Sequence, residues 1–265
     1  MSFLQNIMEA LESMSHPKIM VDGELRHVNN SNGQPIHDTH EGLMNFHRWF
    51  GKSKAVDQHG RPSVYYHGTG TDFDSFSHKF AGKGEDAHGA GFYFTNNPTT
   101  AGHYARTHIM PVYLKIHKPI DRDSDAALTE KQIHGIITRA PDLDSSLQNF
   151  GDVSHEGMRS VLKSAVDAYT DTPKFQAMNM LHNDFYRGHH EKFLDAFKTA
   201  TGHDGVVVNH ETSPIAVAFH PSQIKSATGN NGEYNKKSSK LTESDQNGIS
   251  SSISSNTTGS KDGAT

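Results

Sequence analysis

The chain has 265 residues, of which 33% are hydrophobic, and its mean hydropathy is −0.68. This length is enough for one sizeable domain with appendages, and its apolar runs, such as 215–219, fall far short of the roughly 20 residues that cross a bilayer. A net charge of −5 argues against general nucleic-acid binding, which needs a basic surplus to neutralise phosphates. The absence of cysteine excludes disulfides and thiolate chemistry.

Histidine is unusually frequent, with twenty in the chain, and His182, His189 and His190 lie close together. Their spacing matches no standard zinc pattern, and neither a cysteine nor a His-Glu-x-x-His motif supports one. We therefore predict no metal site, and we expect these histidines to lie on the solvated surface.

Residues 1–40 are predicted to precede the main domain. An amphipathic helix that docks on the domain or binds a partner is predicted over 2–14, where four apolar residues share one helical stripe: Leu4, Ile7, Met8 and Leu11. The polar stretch 21–40 predicts a linker, with 29–33 as its loosest part.

The main domain is predicted over 41–234 and belongs to the α+β class. Runs of β-branched and aromatic residues predict five strands, at 63–66, 91–95, 111–116, 205–209 and 215–220. Between the second and third strands, Pro98 begins a helix that carries Tyr104, because proline is compatible with the first helical turn.

A helical insert is predicted over 123–202. Apolar residues recur there at three- and four-residue steps in four segments, 128–139, 155–169, 174–186 and 190–200, and Gly202 provides a C-terminal stop. From residue 235 onwards serine, threonine, asparagine, glycine and lysine dominate, which predicts a disordered tail over 235–265.

Two short stretches carry the candidate functional residues. The first is Val-Tyr-Tyr-His-Gly-Thr-Gly at 64–70, and the second is Gly-Ala-Gly-Phe-Tyr-Phe-Thr at 89–95, with Tyr104 eleven residues after Tyr93. Each stretch is a short strand bordered by small residues, so polar side chains lie beside backbone that a flat ligand can approach closely. The spacing predicts a cleft between the two strands.

These stretches resemble the NAD-binding core of ADP-ribosyltransferases of the diphtheria-toxin and poly(ADP-ribose) polymerase type, whose signature is His, Tyr and Glu on three strands. The chain is similar in particular to the ADP-ribosyltransferase domains of phage and mobile-element polyvalent proteins. Five ordered blocks between about 46 and 231 carry the resemblance: Trp49–Lys54, Tyr66–Thr69, Gly91–Thr95, Met110–Leu114 and Pro221–Ala227. The resemblance implies a split β-sheet core.

The resemblance also implies a site for NAD as co-substrate. Tyr93 and Tyr104 would stack on the nicotinamide, a flat cation that aromatic faces attract. The backbone of Gly68 would bind the carboxamide, where no side chain blocks the approach. His67 would bind a hydroxyl of the adenine-side ribose, and Thr69 would support the same region.

The sequence departs from the family at its most chemical residue. The family glutamate lies four residues before the aromatic that matches Phe219, and this position is Ile215, which cannot stabilise a developing cation. The nearest carboxylate, Glu211, is the catalytic candidate, although a glutamate in a polar turn is ordinarily solvated. Asp204 is a weaker candidate and is typical of a turn residue. Ala101 is a second departure, since polymerase-type relatives often have a carboxamide-binding serine there.

The implied function is transfer of single ADP-ribose units from NAD to a host macromolecule, which makes the protein a glycosyl-transferring enzyme. It would act in the host cytoplasm or be carried in the virion, and it would not bind a membrane. Ile215 favours an alternative, a catalytically inert NAD- or nucleotide-binding or partner-docking module. A nuclease-type toxin that uses the histidines is a third hypothesis, and the acidic net charge weighs against it.

Overall fold

A computed structural model describes residues 17–80, 90–105, 108–208 and 214–243. In these ranges the chain forms eight α-helices, a two-stranded hairpin and a mixed seven-stranded sheet. The predicted α+β class is confirmed. None of the helices in these ranges has the length and apolarity needed to cross a membrane.

The strands are β1 (Lys18–Val21), β2 (Glu24–His27), β3 (Tyr65–Thr69), β4 (Phe92–Thr95), β5 (His108–Leu114), β6 (Pro119–Asp121), β7 (Gly205–Val208), β8 (Ile215–Ala218) and β9 (Ile224–Ser226). The helices are α1 (His40–Phe50), α2 (Pro98–Tyr104), α3 (Glu130–Ile137), α4 (Leu143–Leu147), α5 (Val153–Glu156), α6 (Met158–Asp167), α7 (Lys174–Phe185) and α8 (His190–Thr201).

The seven-stranded sheet has the order β6-β7-β8-β4-β3-β5-β9, and only β6 and β7 pair in parallel. Successive side chains point to opposite faces. One face, here called the aromatic face, carries Phe92 and Phe94 in a cluster with Phe76. The other, the helical face, is covered at one end by the insert and at the other end by α1, whose Phe46 and Trp49 are buried.

The insert contains the predicted helices. Its first helix, α3, begins with a capping box between Thr129 and Gln132, and its last helix, α8, ends at Gly202, where φ is 75°. The segment predicted as one helix over 155–169 forms two, α5 and α6. They are separated at Gly157, where φ of 81° interrupts the helical backbone.

The predicted linker over 21–40 is wrong for its described residues, which include β2 and an ordered loop. Asn30, in the stretch expected to be loosest, is 4% exposed. Its Oδ1 accepts hydrogen bonds from the backbone of Asn32 and Gln34 at 2.9 and 3.1 Å, and its Nδ2 donates to the Tyr113 hydroxyl at 3.0 Å. The polar residues order this loop because they satisfy its backbone. The predicted helix at 2–14 lies outside the described residues.

The predicted disordered tail starts too early. Residues 235–243 are described, and Leu241 is 2% exposed, with its N–H donating to the carbonyl of Asp74 at 2.7 Å. The polar composition conceals this single apolar anchor. Residues 244–265 lie outside the described part of the chain.

His47 on α1 makes stability depend on pH. It is 4% exposed, and its Nε2 lies 2.8 Å from the carbonyl oxygen of His27, which only accepts, so Nε2 carries the proton. Burial lowers the pKa of His47 to about 4 from 6.5, against the opposing effect of this hydrogen bond. Because the unfolded chain binds the proton more tightly, the contribution is complete above pH 6.5 and is lost as pH falls towards 4.

We expect His47 to account for roughly 2 kcal/mol of the loss in unfolding free energy between about pH 7.5 and pH 5, measured by urea titration. His47→Gln keeps a donor for the carbonyl and removes the titration, so its unfolding free energy should fall less over this range. Equal pH slopes in the two proteins would contradict the assignment.

Candidate active site

The central sheet opens between β3 and β4. β3 pairs with β5 at five consecutive positions, 65–69, but with β4 at one position, where Tyr66 faces Thr95. β4 pairs with β8 along its whole length. Beyond Tyr66 the ladder between β3 and β4 ends, so residues 67–69 border the opening on one side and residues 92–94 on the other.

α2 lies across this opening on the helical face. A Cβ atom at Gly68 would lie 2.3 Å from the carbonyl oxygen of Ala101 and 2.7 Å from the amide nitrogen of Ala105. Backbone atoms cannot yield to such contacts, so glycine is required for α2 to sit here. The absence of a side chain at Gly68 was expected to leave room for a ligand. In the structure the backbone of α2 occupies that room. What remains for a ligand is the peptide group of Gly68.

Tyr93 and Tyr104 border the same face in different ways. Tyr93 points to the helical face and packs, half-buried, against the core of the insert. Tyr104 is the last residue of α2, and its side chain is 77% exposed. Its carbonyl carbon lies 3.0 Å from the Cβ position of Gly68, which brings its backbone against β3. An exposed tyrosine ring at the end of the helix that covers the opening is available for stacking on a flat ligand.

His67 projects to the aromatic face, and its ring links the two sides of the opening. Its Nδ1 lies 2.9 Å from the carbonyl oxygen of Tyr93. The ring packs against Phe76 and Phe94, with centroid distances of 5.0 and 5.6 Å, and against Phe73 at 6.4 Å.

The protonation state of His67 follows from this geometry. Burial lowers the pKa of His67 below its usual 6.5, while the hydrogen bond to Tyr93 opposes the shift. The ring is therefore neutral at pH 7, and its one proton is on Nδ1, because a carbonyl oxygen only accepts. Nε2 then carries a lone pair, which suits it to accept a hydrogen bond from a hydroxyl group.

Two of the other predicted site residues have local roles in the structure. The Thr69 hydroxyl donates to the carbonyl of Thr71 at 3.0 Å and accepts from its N–H at 3.2 Å, which forms the turn after β3. Asp204 is buried, and its carboxylate accepts the backbone N–H groups of His117 and Lys118 at 2.8–3.1 Å. Asp204 therefore stabilises the chain before β6 rather than serving the opening.

The family's catalytic carboxylate would lie at the start of β8. Ile215 pairs with Thr95 and packs, half-buried, against the core of the insert, on the face that also carries Tyr93. Ala101, 2% exposed, presses its carbonyl against Gly68 instead of presenting a hydroxyl. Glu211, the candidate from the sequence, lies outside the described residues.

Two of the three clustered histidines, His182 and His190, differ from their predicted solvated state. The rings of His182 and His190 lie 4.7 Å apart, and each has one buried nitrogen without a hydrogen-bond partner. Burial lowers the pKa of His182 to about 4. Within the described ranges, no three histidines or carboxylates are grouped so that they could bind one metal ion.

The aromatic rings that surround His67 were not predicted from the sequence. Phe73 and Phe76 lie in the segment between β3 and the 3₁₀ helix at His78–Phe80, and their rings contact each other at 4.9 Å. Two phenylalanines closely follow the His-Gly-Thr motif in the sequence. Their spacing alone does not show that this segment folds back onto β3.

Comparison with known proteins identifies the family of this chain. A family model described as ADP-ribosyltransferase in polyvalent proteins matches residues 57–234, which is more than half of the chain. The α+β fold is thus that of an ADP-ribosyltransferase domain. The chain belongs to the family of ADP-ribosyltransferases found in polyvalent proteins, as its sequence motifs predicted. No curated protein and no solved structure matches the chain.

Proposed function

We propose that this chain uses NAD to transfer single ADP-ribose units to a host macromolecule. The observation that supports the proposal most is the opening between β3 and β4, because Gly68, Tyr93 and Tyr104 border it on one face and His67 spans it from the other. Membership of the ADP-ribosyltransferase family supports the general reaction.

The residues fit the chemistry of NAD. The dinucleotide supplies a positively charged nicotinamide as leaving group and a ribosyl carbon as the centre of transfer. Tyr104 offers an exposed ring for the flat cation, with an attraction of about 0.5–2 kcal/mol. The peptide group of Gly68 orients the carboxamide, and Nε2 of His67 accepts from a ribose hydroxyl. These contacts bind and orient the substrate.

Binding alone does not lower the barrier, since the transition state needs a carboxylate near the ribosyl cation. We propose that Glu211 supplies it, because it is the acidic residue nearest to Ile215 in the sequence, four residues before it. The acceptor is then a host protein or another macromolecule, and the enzyme acts in the host cytoplasm.

The central experiment measures transfer and binding together. Biotinylated NAD incubated with host lysate should label a macromolecule in the presence of the wild-type protein, and Tyr104→Ala and His67→Ala should each reduce labelling and NAD affinity about tenfold or more. Tyr104→Phe keeps the aromatic ring and is the matched control, so it should retain affinity. Unchanged calorimetric affinity in both alanine variants would refute the site assignment.

A second candidate function is a catalytically inert module that binds NAD or a nucleotide. The observation that favours it is the isoleucine at 215, half-buried against an apolar core where the family has its carboxylate. Under this function the wild type binds NAD in calorimetry and labels nothing in lysate, and Glu211→Gln changes neither result.

A further inference from the structure

The C-terminal strap, defined here as residues 235–243, follows the part of the chain that matches the family. It returns to the edge of the sheet at β9, where Lys225 is completely buried. The Lys225 ammonium donates to the carboxylate of Glu243 and to the carbonyls of Ser238 and Lys240, the latter two at 3.1 and 2.8 Å. The Lys225 side chain thus contacts the strap at three residues.

The end of the strap is attached to β9 by the buried ion pair between Lys225 and Glu243. Burial lowers the pKa of Lys225, and Glu243 opposes this shift by stabilising the charged form. Glu243 has a φ of 61°, in the left-handed region that a residue with a side chain adopts only when its surroundings impose it. The ion pair is made in this conformation, together with a hydrogen bond from the Asn231 side chain to the Glu243 carbonyl at 3.2 Å, and breaking the pair would leave a buried charge without its partner.

The strap connects this pair to the segment between β3 and the 3₁₀ helix. Leu241 donates its N–H to the carbonyl of Asp74 at 2.7 Å, and Lys240 forms a β-bridge with Ser75. The Leu241 side chain is buried in the same cluster as Phe76. Phe76 is also the aromatic ring nearest to His67, at 5.0 Å.

We propose that the strap is a positioning element for the candidate active site. The Lys225–Glu243 pair holds Leu241 against the Phe76 cluster, and this cluster fixes the His67 ring so that Nδ1 stays on the Tyr93 carbonyl and Nε2 faces a hydroxyl group. The ligand in this inference rests on the proposed function, whereas the state of the imidazole does not depend on it.

The test uses the full chain and nitrogen-15 NMR of the imidazole rings, with the His67 signals identified by their loss in His67→Gln. Wild type should show the proton on Nδ1. Leu241→Ala and Glu243→Gln should both shift the ring towards the Nε2-protonated form that water favours, and should bring its pKa closer to 6.5. NAD affinity should fall about tenfold in both variants.

Tyr186→Phe is the matched control, because it removes a buried hydrogen bond to the carbonyl of Ile136 within the insert. It should lower stability without changing the His67 signals. If Glu243→Gln does not fold, Leu241→Ala alone decides, since it leaves the ion pair intact. Wild-type imidazole signals in the folded strap variants would overturn the inference. A wild-type protein that does not bind NAD would refute the proposed function, and the imidazole comparison would still decide the role of the strap.

Discussion

Gly68→Ala should both destabilise the domain and weaken NAD binding. The added Cβ would lie 2.3 Å from the carbonyl oxygen of Ala101 and 2.7 Å from the amide nitrogen of Ala105, and neither backbone atom can move without α2. We expect a loss of about 3 kcal/mol in unfolding free energy, which is in the upper range for overpacking. NAD affinity should fall by more than about tenfold because displacement of α2 carries Tyr104 away from the opening.

Gly102→Ala is the matched control for this result, because it adds the same methyl group to α2 itself. Its Cβ would meet only Cδ1 of Ile109, at an ordinary 3.6 Å. Alanine is the better helix former by about 0.5–1 kcal/mol, so this variant should be at least as stable as wild type. Urea unfolding and calorimetry measure both effects. Wild-type stability and affinity in Gly68→Ala would show that α2 does not rest on this glycine.

The elements that could be predicted from the sequence are those with a local signal. The helices of the insert repeat apolar residues at helical spacing, over about three turns in α7 and α8, and the glycine at 202 ends the last one with its positive φ. The strands of the site are rich in aromatic and β-branched residues. Strands β6 and β9 have three residues each, too few to establish any alternation.

The N-terminal hairpin carried a signal that the linker prediction overlooked. Asp22 and Gly23 have φ values of 47° and 86°, the backbone of a two-residue turn that the Asp-Gly pair favours between antiparallel strands. Met20 and Leu25 pair across this hairpin and are largely exposed, while Ile19 and Val21 lie on the other, buried face, so apolar residues occupy both faces of β1. The alternation that announces a half-buried strand is therefore weak here.

The candidate site was predicted as a set of residues but not as an arrangement. The motif order placed His67 and Gly68 on one strand and Tyr93 on the next, and strand alternation puts the imidazole on the opposite face from Gly68. The face of Tyr93 follows only from the pairing of Tyr66 with Thr95 in the structure. The contacts between residues far apart in the sequence could not be predicted. The His67 ring packs against Phe76, and Phe76 belongs to the same buried cluster as Leu241, which is more than 160 residues further along the chain.

Ile215→Glu should produce NAD hydrolysis if the site lacks only its carboxylate. Position 215 begins β8 opposite Thr95, and its side chain lies on the face that carries Tyr93 and α2. A glutamate there would add a negative charge on the side of the sheet where the ribosyl cation is expected. A single well-placed electrostatic group contributes about 10²–10³ in rate, so hydrolysis, measured as release of nicotinamide, should rise by about that factor.

Ile215→Gln separates the charge from the change of shape. It has nearly the same size as the glutamate variant and places a polar group at the same half-buried position, so both should lose similar stability, but only the glutamate variant should gain activity. If wild type is already active through Glu211, then Glu211→Gln should be inactive, and adding Ile215→Glu to it should restore hydrolysis. A glutamate at 215 that binds NAD as wild type does and releases no nicotinamide would show that the opening lacks more than this one charge.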